Sequence, residues 1–371
     1  MRSPPAMEMT QDIVNVAQLQ KFDEIVDVRA PSEYELDHIP GAINCPVLDD
    51  DERARVGTIH AQQSAFAAKR IGAALVARNI ARHLETAFAD KPKNWAPLVY
   101  CWRGGQRSAS MSIVLRQTGW NAKRLDGGYK AYRRHVIADI DQLARRMTFH
   151  VVCGLTGSGK SALLRELENL GAQVLDLEQA AEHRGSVLGN LPYCTQPGQK
   201  MFESRVWNLL QGFDPALPVY VEAESRKIGS LRVPESLISS MRISPCVFLA
   251  TSMSARVNLL LREYDHFIQD PSRLASSLDY LTWLHGRRCV ERWKSLASAG
   301  DWDAFIRDLL ENHYDPAYRK STETNYSGLE HADRLPVTEG TPQEFTALAR
   351  VLVDKLPGDG NATPGHASIA V

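Results

Sequence analysis

The stretch FHVVCGLTGSGKSALLRELENLG, residues 149–171, decides the fold of the second half of the chain. Its apolar run up to Cys153 predicts a buried strand, and leucines three or four residues apart predict a helix over 161–170. Gly171 is a C-terminal stop for that helix. The loop between them matches the P-loop pattern at every fixed position and lies where that pattern requires, between a strand and a helix.

A P-loop binds phosphate because its glycines let backbone N–H groups converge at a helix N-terminus. We expect Lys160 to neutralise a terminal phosphate and the Ser161 hydroxyl to be able to bind Mg²⁺. The candidate phosphate-binding residues are Gly154, Thr156, Gly157, Ser158, Gly159, Lys160 and Ser161.

The residues alone leave open what this loop holds, since such a loop grips any diphosphate. Hydrolysis of ATP also needs an acid at the end of a neighbouring strand, and Glu222 follows the apolar run 219–221. Glu224 and Arg226 lie just beyond it. His183 and Arg184 could reach a phosphate beside the loop or could simply end a helix.

A second loop, CWRGGQRS at residues 101–108, follows the strand-like run 97–100. The helix predicted over 108–117, with Ser108 as its cap, would direct its N-terminus towards Cys101. Arg103 and Arg107 add positive charge, so the surroundings of Cys101 favour a reactive thiolate. We interpret Cys101, Arg103 and Arg107 as catalytic candidates.

The overall composition bounds the class of protein. The 371 residues are enough for two domains, and a net charge of −1 means that any nucleic-acid partner must be held by local basic patches. None of the six cysteines forms a Cys-x-x-Cys pair, which argues against a zinc site or a disulfide framework and for a reducing cytoplasm. No signal peptide or membrane span is predicted. Residues 1–10 should be a loose start, and the Gly- and Pro-containing end, 356–371, a disordered tail.

The first half of the chain resembles the rhodanese family, whose cysteine accepts a sulfane sulfur. The resemblance rests on DVR at 27–29, HIPGAIN at 38–44, the Cys101 loop and LDGGY at 125–129, in rhodanese order. The Cys101 loop departs from the family pattern, because five residues separate Cys101 from Arg107 where ordinary rhodaneses have a loop one residue shorter. That spacing is also typical of tyrosine-phosphatase loops, and a longer loop suits a larger group than sulfur alone.

A rhodanese-like domain joined to a P-loop domain resembles the tRNA 2-selenouridine synthase family. Further support comes from HRGS at 183–186, ESRKIG at 224–229 and YDPxY at 314–318. The resemblance implies an α/β fold: a rhodanese-like parallel-sheet domain over 11–140, then a P-loop NTPase-like α/β domain with a helical C-terminal region over 147–355.

The same resemblance implies a reaction on tRNA that carries 2-thiouridine at the wobble position. Geranyl diphosphate would first alkylate the sulfur, and selenium from selenophosphate would then replace the S-geranyl group, with Cys101 as the selenium carrier. Both small phosphate donors are co-substrates, Mg²⁺ is a possible further ligand, and no permanently bound cofactor or metal is expected.

Contacts to the anticodon arm of the tRNA are predicted at Arg133, Arg134, Arg145 and Arg146, because basic pairs suit phosphates. Gly72 lies within a helical run, 65–84, where it marks either close packing or substrate access. Two other readings stay open. In one, the chain is a Cys-x5-Arg phosphatase; in the other, it is a P-loop ATPase or kinase with a regulatory rhodanese domain.

Overall fold

The computed structural model describes residues 12–186, 188–192 and 194–354 and divides the chain into two units. The first unit comprises the chain up to Asp139 together with Pro197–Asn208, and the second comprises Ile140–Gln196 and the chain from Leu209 onwards. The predicted loose start at 1–10 and the predicted tail at 356–371 lie outside the described residues.

The first unit is built on a five-stranded sheet in which every neighbouring pair is parallel. The strand order is β1-β5-β4-β2-β3, and the elements are β1 (Ile13–Val14), a 3₁₀ turn (Val16–Lys21), β2 (Glu24–Asp27), α1 (Pro31–Leu36), β3 (Ile43–Asn44), α2 (Asp50–Gln62), α3 (Ala65–Glu85), β4 (Pro97–Tyr100), α4 (Gln106–Gln117), β5 (Lys123–Leu125) and α5 (Gly128–Arg146), whose last turns belong to the second unit.

The second unit contains another five-stranded parallel sheet, with the order β12-β11-β6-β8-β7. Its first elements are β6 (Thr148–Cys153), α6 (Lys160–Asn169), β7 (Gln173–Leu175), α7 (Leu177–Ala181), α8 (Gln199–Gly212, mostly in the first unit), β8 (Pro218–Glu222), the antiparallel pair β9 (Lys227–Ile228) and β10 (Leu231–Arg232), α9 (Glu235–Arg242) and β11 (Pro245–Thr251).

A helical region then precedes one last strand and helix. Its elements are α10 (Met253–Glu263), α11 (Asp265–Gln269), α12 (Pro271–Leu278), a 3₁₀ turn (Asp279–Leu281), α13 (Thr282–His285), α14 (Arg287–Ser298), α15 (Trp302–Leu309), a π-helical turn (Leu310–Tyr314), α16 (Asp315–Asn325), β12 (Gly328–Val337) and α17 (Pro342–Asp354). Within the described residues, none of the helices has the length and apolar character that a membrane span needs.

The predicted fold class is confirmed: two parallel α/β sheets and a helical C-terminal region. The expectation that Ser108 caps α4 is wrong, because the helix begins at Gln106 after Gly105. Of two tryptophans in the helical region, Trp283 is 84% exposed, whereas Trp293 is fully buried.

Candidate functional site

The P-loop joins β6 to α6 at the carboxyl edge of the second sheet. The backbone N–H groups of Thr156, Gly157 and Gly159 donate to no partner among the described residues. Gly157 and Gly159 have φ values of +76° and +87°, which side-chain-bearing residues rarely adopt. A Cβ on Gly159 would lie 2.1 Å from the Phe345 ring, so only glycine fits there. The loop therefore has free N–H donors where a phosphate would lie.

Three carboxylates lie beside this loop, from Glu178, Glu222 and Glu224, with ligand oxygens within 4.8 Å of one another. β8 pairs directly with β6, so its final residue, Glu222, is the acid at the end of a neighbouring strand. Glu178 follows β7, the next strand in the sheet, and its Oε2 accepts a hydrogen bond from the Ser161 hydroxyl at 3.5 Å.

Burial and mutual repulsion make these carboxylates hard to ionise. Burial, followed by the charge of Glu222, raises the pKa of Glu178 to about 10 and that of Glu224 to about 8. Burial also opposes the charge on Lys160, but Glu222 and its neighbours outweigh it and raise the lysine pKa. Glu222 is 2% exposed and its Oε1 has no hydrogen-bond partner in the described structure. An unpartnered carboxylate oxygen between two other carboxylates fits a divalent cation.

Residues far along the chain form hydrogen bonds to the backbone of the P-loop. The Tyr318 hydroxyl accepts a hydrogen bond from the Gly154 N–H at 2.7 Å. The Arg256 guanidinium donates to the Thr156 carbonyl at 2.8 Å and forms a buried ion pair with Asp315. Asp315 and Tyr318 belong to the motif at 314–318, which sequence reasoning singled out without assigning it a role. The sequence did contain a signal for this role, because Asp315 and Tyr318 are polar residues three positions apart and therefore lie on the same face of a helix.

The remaining candidates near the P-loop are placed differently from one another. His183 is 4% exposed, and burial lowers its pKa, so its ring is neutral at pH 7. Arg184 donates to the Glu263 carbonyl and lies over the Tyr264 ring at 4.9 Å. Arg226 is exposed and pairs with Glu235 at 3.1 Å. Among the described residues, none of the three forms a hydrogen bond to the P-loop.

The cysteine loop joins β4 to α4. Cys101 is 3% exposed, and its Sγ lies 3.2 Å from the Ser108 hydroxyl. The backbone N–H groups of Arg103, Gly104 and Gly105 donate to no described group. Free amides beside a buried sulfur are suited to an anionic or oxyanionic ligand.

The motif at 125–129 holds this loop in place. The Tyr129 N–H donates to the Cys101 carbonyl at 2.9 Å, and the Lys130 N–H donates to the Trp102 carbonyl at 3.0 Å. Gly128 has a φ of +57°, and a Cβ there would lie 2.2 Å from the Cys101 carbonyl oxygen. Glycine is thus required at position 128 by the close approach of the two backbones.

The two arginines of the cysteine loop differ. Arg103 is exposed, whereas Arg107 forms an ion pair with Glu33 at 2.7 Å. Glu33 also pairs with Arg53, and the arginines outweigh its burial and lower its pKa. Sequence reasoning missed Glu33. Because the pair occupies Arg107, the structure does not favour the phosphatase reading, which needs this guanidinium on the phosphate.

Gly72 and the four arginines predicted to contact tRNA differ in their burial and contacts. A Cβ on Gly72 would meet Val56 of α2 at 3.5 Å, so this glycine lies at the packing contact between α2 and α3. Arg133 is 8% exposed, pairs with Glu203 and donates to Ser204. The Arg133 guanidinium is thus engaged within its own unit, and its contact with tRNA stays a prediction. Arg134, Arg145 and Arg146 are exposed.

Comparisons with known proteins cover both units. Residues 147–277 match the family described as the tRNA 2-selenouridine synthase AAA domain, and residues 11–135 match the rhodanese-like domain family. The tRNA 2-selenouridine synthase of Pseudomonas fluorescens is 34% identical over 82% of this chain and 90% of its own length. The enzyme of the same name from Bordetella petrii is 33% identical over 87% and 94%. That from Nitrosomonas europaea is 36% identical over 65% of this chain, which spans 63% of that relative.

Proposed function

The chain belongs to the tRNA 2-selenouridine synthase family of enzymes, and from that premise we propose that it converts wobble 2-thiouridine of tRNA to 2-selenouridine through an S-geranyl intermediate. The observation that carries the proposal is the presence in one chain of two prepared anion sites, one beside a buried thiol and one beside a lysine.

The P-loop would bind the diphosphate of geranyl diphosphate. In the first step the 2-thio sulfur forms a bond to C1 of the geranyl group, the C1–O bond breaks, inorganic diphosphate leaves and the uridine loses its N3 proton. Lys160 and the free N–H groups of Thr156, Gly157 and Gly159 favour this step, because they stabilise the charge on the leaving diphosphate.

The glutamate cluster would hold Mg²⁺, together with the Ser161 hydroxyl. Bound there, the cation would supply charge neutralisation for the diphosphate. Glu222, with its unpartnered oxygen, is the residue best placed to bind it.

The cysteine loop would hold the selenium of selenophosphate beside Cys101, the proposed carrier, and the selenium would stay at the selenide level throughout, so that no oxidant or reductant is needed. Selenium then replaces the S-geranyl group at C2 of the uridine; overall, one water is consumed and geranylthiol and phosphate leave. Alkylation precedes this step because the alkylated sulfur can leave as a geranylthiolate, whereas the neutral thione sulfur is a poor leaving group. The free amides of Arg103, Gly104 and Gly105 suit the phosphate of selenophosphate.

The proposed macromolecular partner is the anticodon arm of tRNA that bears 2-thiouridine. Arg134, Arg145 and Arg146 are exposed and remain candidate phosphate contacts. Binding through them is expected to weaken as salt concentration rises.

The test is nucleoside mass spectrometry after incubation of 2-thiouridine tRNA with the protein, geranyl diphosphate and selenophosphate. Wild type should yield 2-selenouridine, Cys101→Ser should stop at S-geranyl-2-thiouridine, and Lys160→Ala should leave 2-thiouridine. Cys194→Ser and Lys93→Ala, at exposed positions, are the matched controls and should behave as wild type. Unchanged 2-thiouridine in every sample would reject the proposal.

A further inference from the structure

An apolar cavity lies in the helical region of the second unit. It contains about 550 Å³ of space that no atom occupies, a volume that includes its open mouth. Of its fifteen lining residues, thirteen are aliphatic or aromatic, and Thr156 and Ser186 are the others. The cavity is therefore suited to hydrocarbon.

The cavity begins at the P-loop itself. Thr156, a loop residue, is part of its lining. Leu260, another lining residue, lies directly against the loop, because a Cβ on Gly157 would be 2.8 Å from its side chain. Helix α10 links the two sites, since it carries both Leu260 and Arg256, whose guanidinium holds the Thr156 carbonyl.

Few polar groups of the lining are available to a ligand: among the described residues the buried Tyr314 hydroxyl has no hydrogen-bond partner, whereas two others are engaged. The Ser186 hydroxyl lies 3.4 Å from the Tyr264 hydroxyl, and the Thr156 carbonyl accepts from Arg256. A nucleobase in the cavity would lose its hydrogen bonds to water and gain few in return, which is unfavourable. A hydrocarbon chain loses nothing by burial there.

We propose that this cavity binds the hydrocarbon chain of an allylic diphosphate whose phosphates lie on the P-loop, with Ile268 among the side chains that bound the chain. The inference rests on the proposed function for its donor, but it assigns a separate site with its own binding signature. A ligand with one anionic end and one apolar end matches the two adjoining surfaces.

The experiment measures binding without tRNA, by calorimetry, for inorganic diphosphate and for dimethylallyl, geranyl and farnesyl diphosphates. Ile268 is half-buried on α11, so a substitution there changes the cavity without removing a core anchor. Ile268→Trp should fill the cavity and weaken geranyl diphosphate about tenfold, a typical effect of a steric change in an apolar pocket. Binding of inorganic diphosphate should stay unchanged. Ile268→Ala should shift preference towards farnesyl diphosphate.

Ile243→Trp makes the same change at a position that is 80% exposed, and it should bind all four ligands as wild type does. Melting temperatures establish that each variant is folded. Equal affinity of the wild type for all four ligands, or no binding of any, would overturn the proposal, as would a geranyl preference that survives in Ile268→Trp. A preference that Ile268→Trp abolishes, in a protein that transfers no geranyl group to tRNA, would support the chain site while rejecting the proposed function.

Discussion

At the scale of single residues, Glu224 shows that a negative charge beside the P-loop is unfavourable. Its pKa in the folded protein is about 8, against an ordinary value of 4.5, because of burial and then the charge of Glu222. Protonation therefore stabilises the fold. This stabilisation is complete below pH 4.5 and is lost as the pH rises through 8.

We predict that the melting temperature without Mg²⁺ falls between about pH 4.5 and pH 8, and that Glu224→Gln reduces this fall. Added Mg²⁺ should raise the wild-type melting temperature most at the alkaline end, where protons compete least for the carboxylates. Thermal unfolding followed by circular dichroism measures both effects. Glu235→Gln, at an exposed carboxylate, is the control; identical pH slopes for both variants would refute the prediction.

Tyr318 offers a second prediction at this scale. Tyr318→Phe removes the acceptor of the Gly154 N–H, which lies at the start of the P-loop. An unsatisfied buried donor typically costs about 1–3 kcal/mol, so we expect diphosphate to bind about tenfold or more weakly. Calorimetry with inorganic diphosphate measures the change. Tyr280→Phe, at an exposed tyrosine, should have no effect, and equal affinities for the two variants would contradict the role assigned to Tyr318.

At the scale of elements, the first residue of α5, Gly128, lies against the backbone of the cysteine loop and fixes its shape. Gly128→Ala would place a methyl group 2.2 Å from the Cys101 carbonyl oxygen. We predict that this variant still geranylates tRNA but accumulates S-geranyl-2-thiouridine, because only the cysteine loop is displaced. Nucleoside mass spectrometry distinguishes the two products.

Gly119→Ala is the matched control for that variant. Gly119 also has a positive φ, of +105°, but a Cβ there would meet nothing within 4 Å. Alanine at position 119 is therefore strained by its backbone conformation but does not collide with any neighbouring atom. Similar accumulation of the geranylated nucleoside in both variants would show that strain, and not the approach to Cys101, is responsible.

Elements whose residues are close in sequence could be predicted, and those completed by distant residues could not. The strand, loop and helix at 149–171 follow from local periodicity, and the structure forms them within a residue or two. The Arg107–Glu33 pair joins residues 74 positions apart, which no local pattern reveals. Strand β12 was also missed. It lies at the edge of its sheet, where polar residues such as Glu330 and Asp333 obscure the apolar alternation.

At the scale of the whole molecule, the helical region depends on a few large side chains. Trp293 is fully buried in a cluster with Leu278 and Phe305, whereas Trp283 lies on the surface. The sequence did not distinguish them, because α13 is only four residues long and is too short to show a periodic apolar pattern. The difference between them is set by tertiary packing.

We predict that Trp293→Ala lowers the free energy of unfolding by about 3–5 kcal/mol, and that Trp283→Ala changes it by less than about 0.5 kcal/mol. Urea denaturation monitored by circular dichroism measures both values. The second variant is the control for the loss of an indole as such. Comparable losses in the two would mean that Trp283 is buried in solution, contrary to the structure.

The segment Pro197–Asn208 joins the first unit although its neighbours in sequence belong to the second. Its Ser204 donates a hydrogen bond to Asp37, and its Trp207 packs edge-on against Tyr132. The polypeptide therefore passes between the units three times. A gene cut after codon 139 would encode a first unit that lacks these partners. A fragment ending at residue 139 is therefore expected to be less stable than the same unit within the full chain.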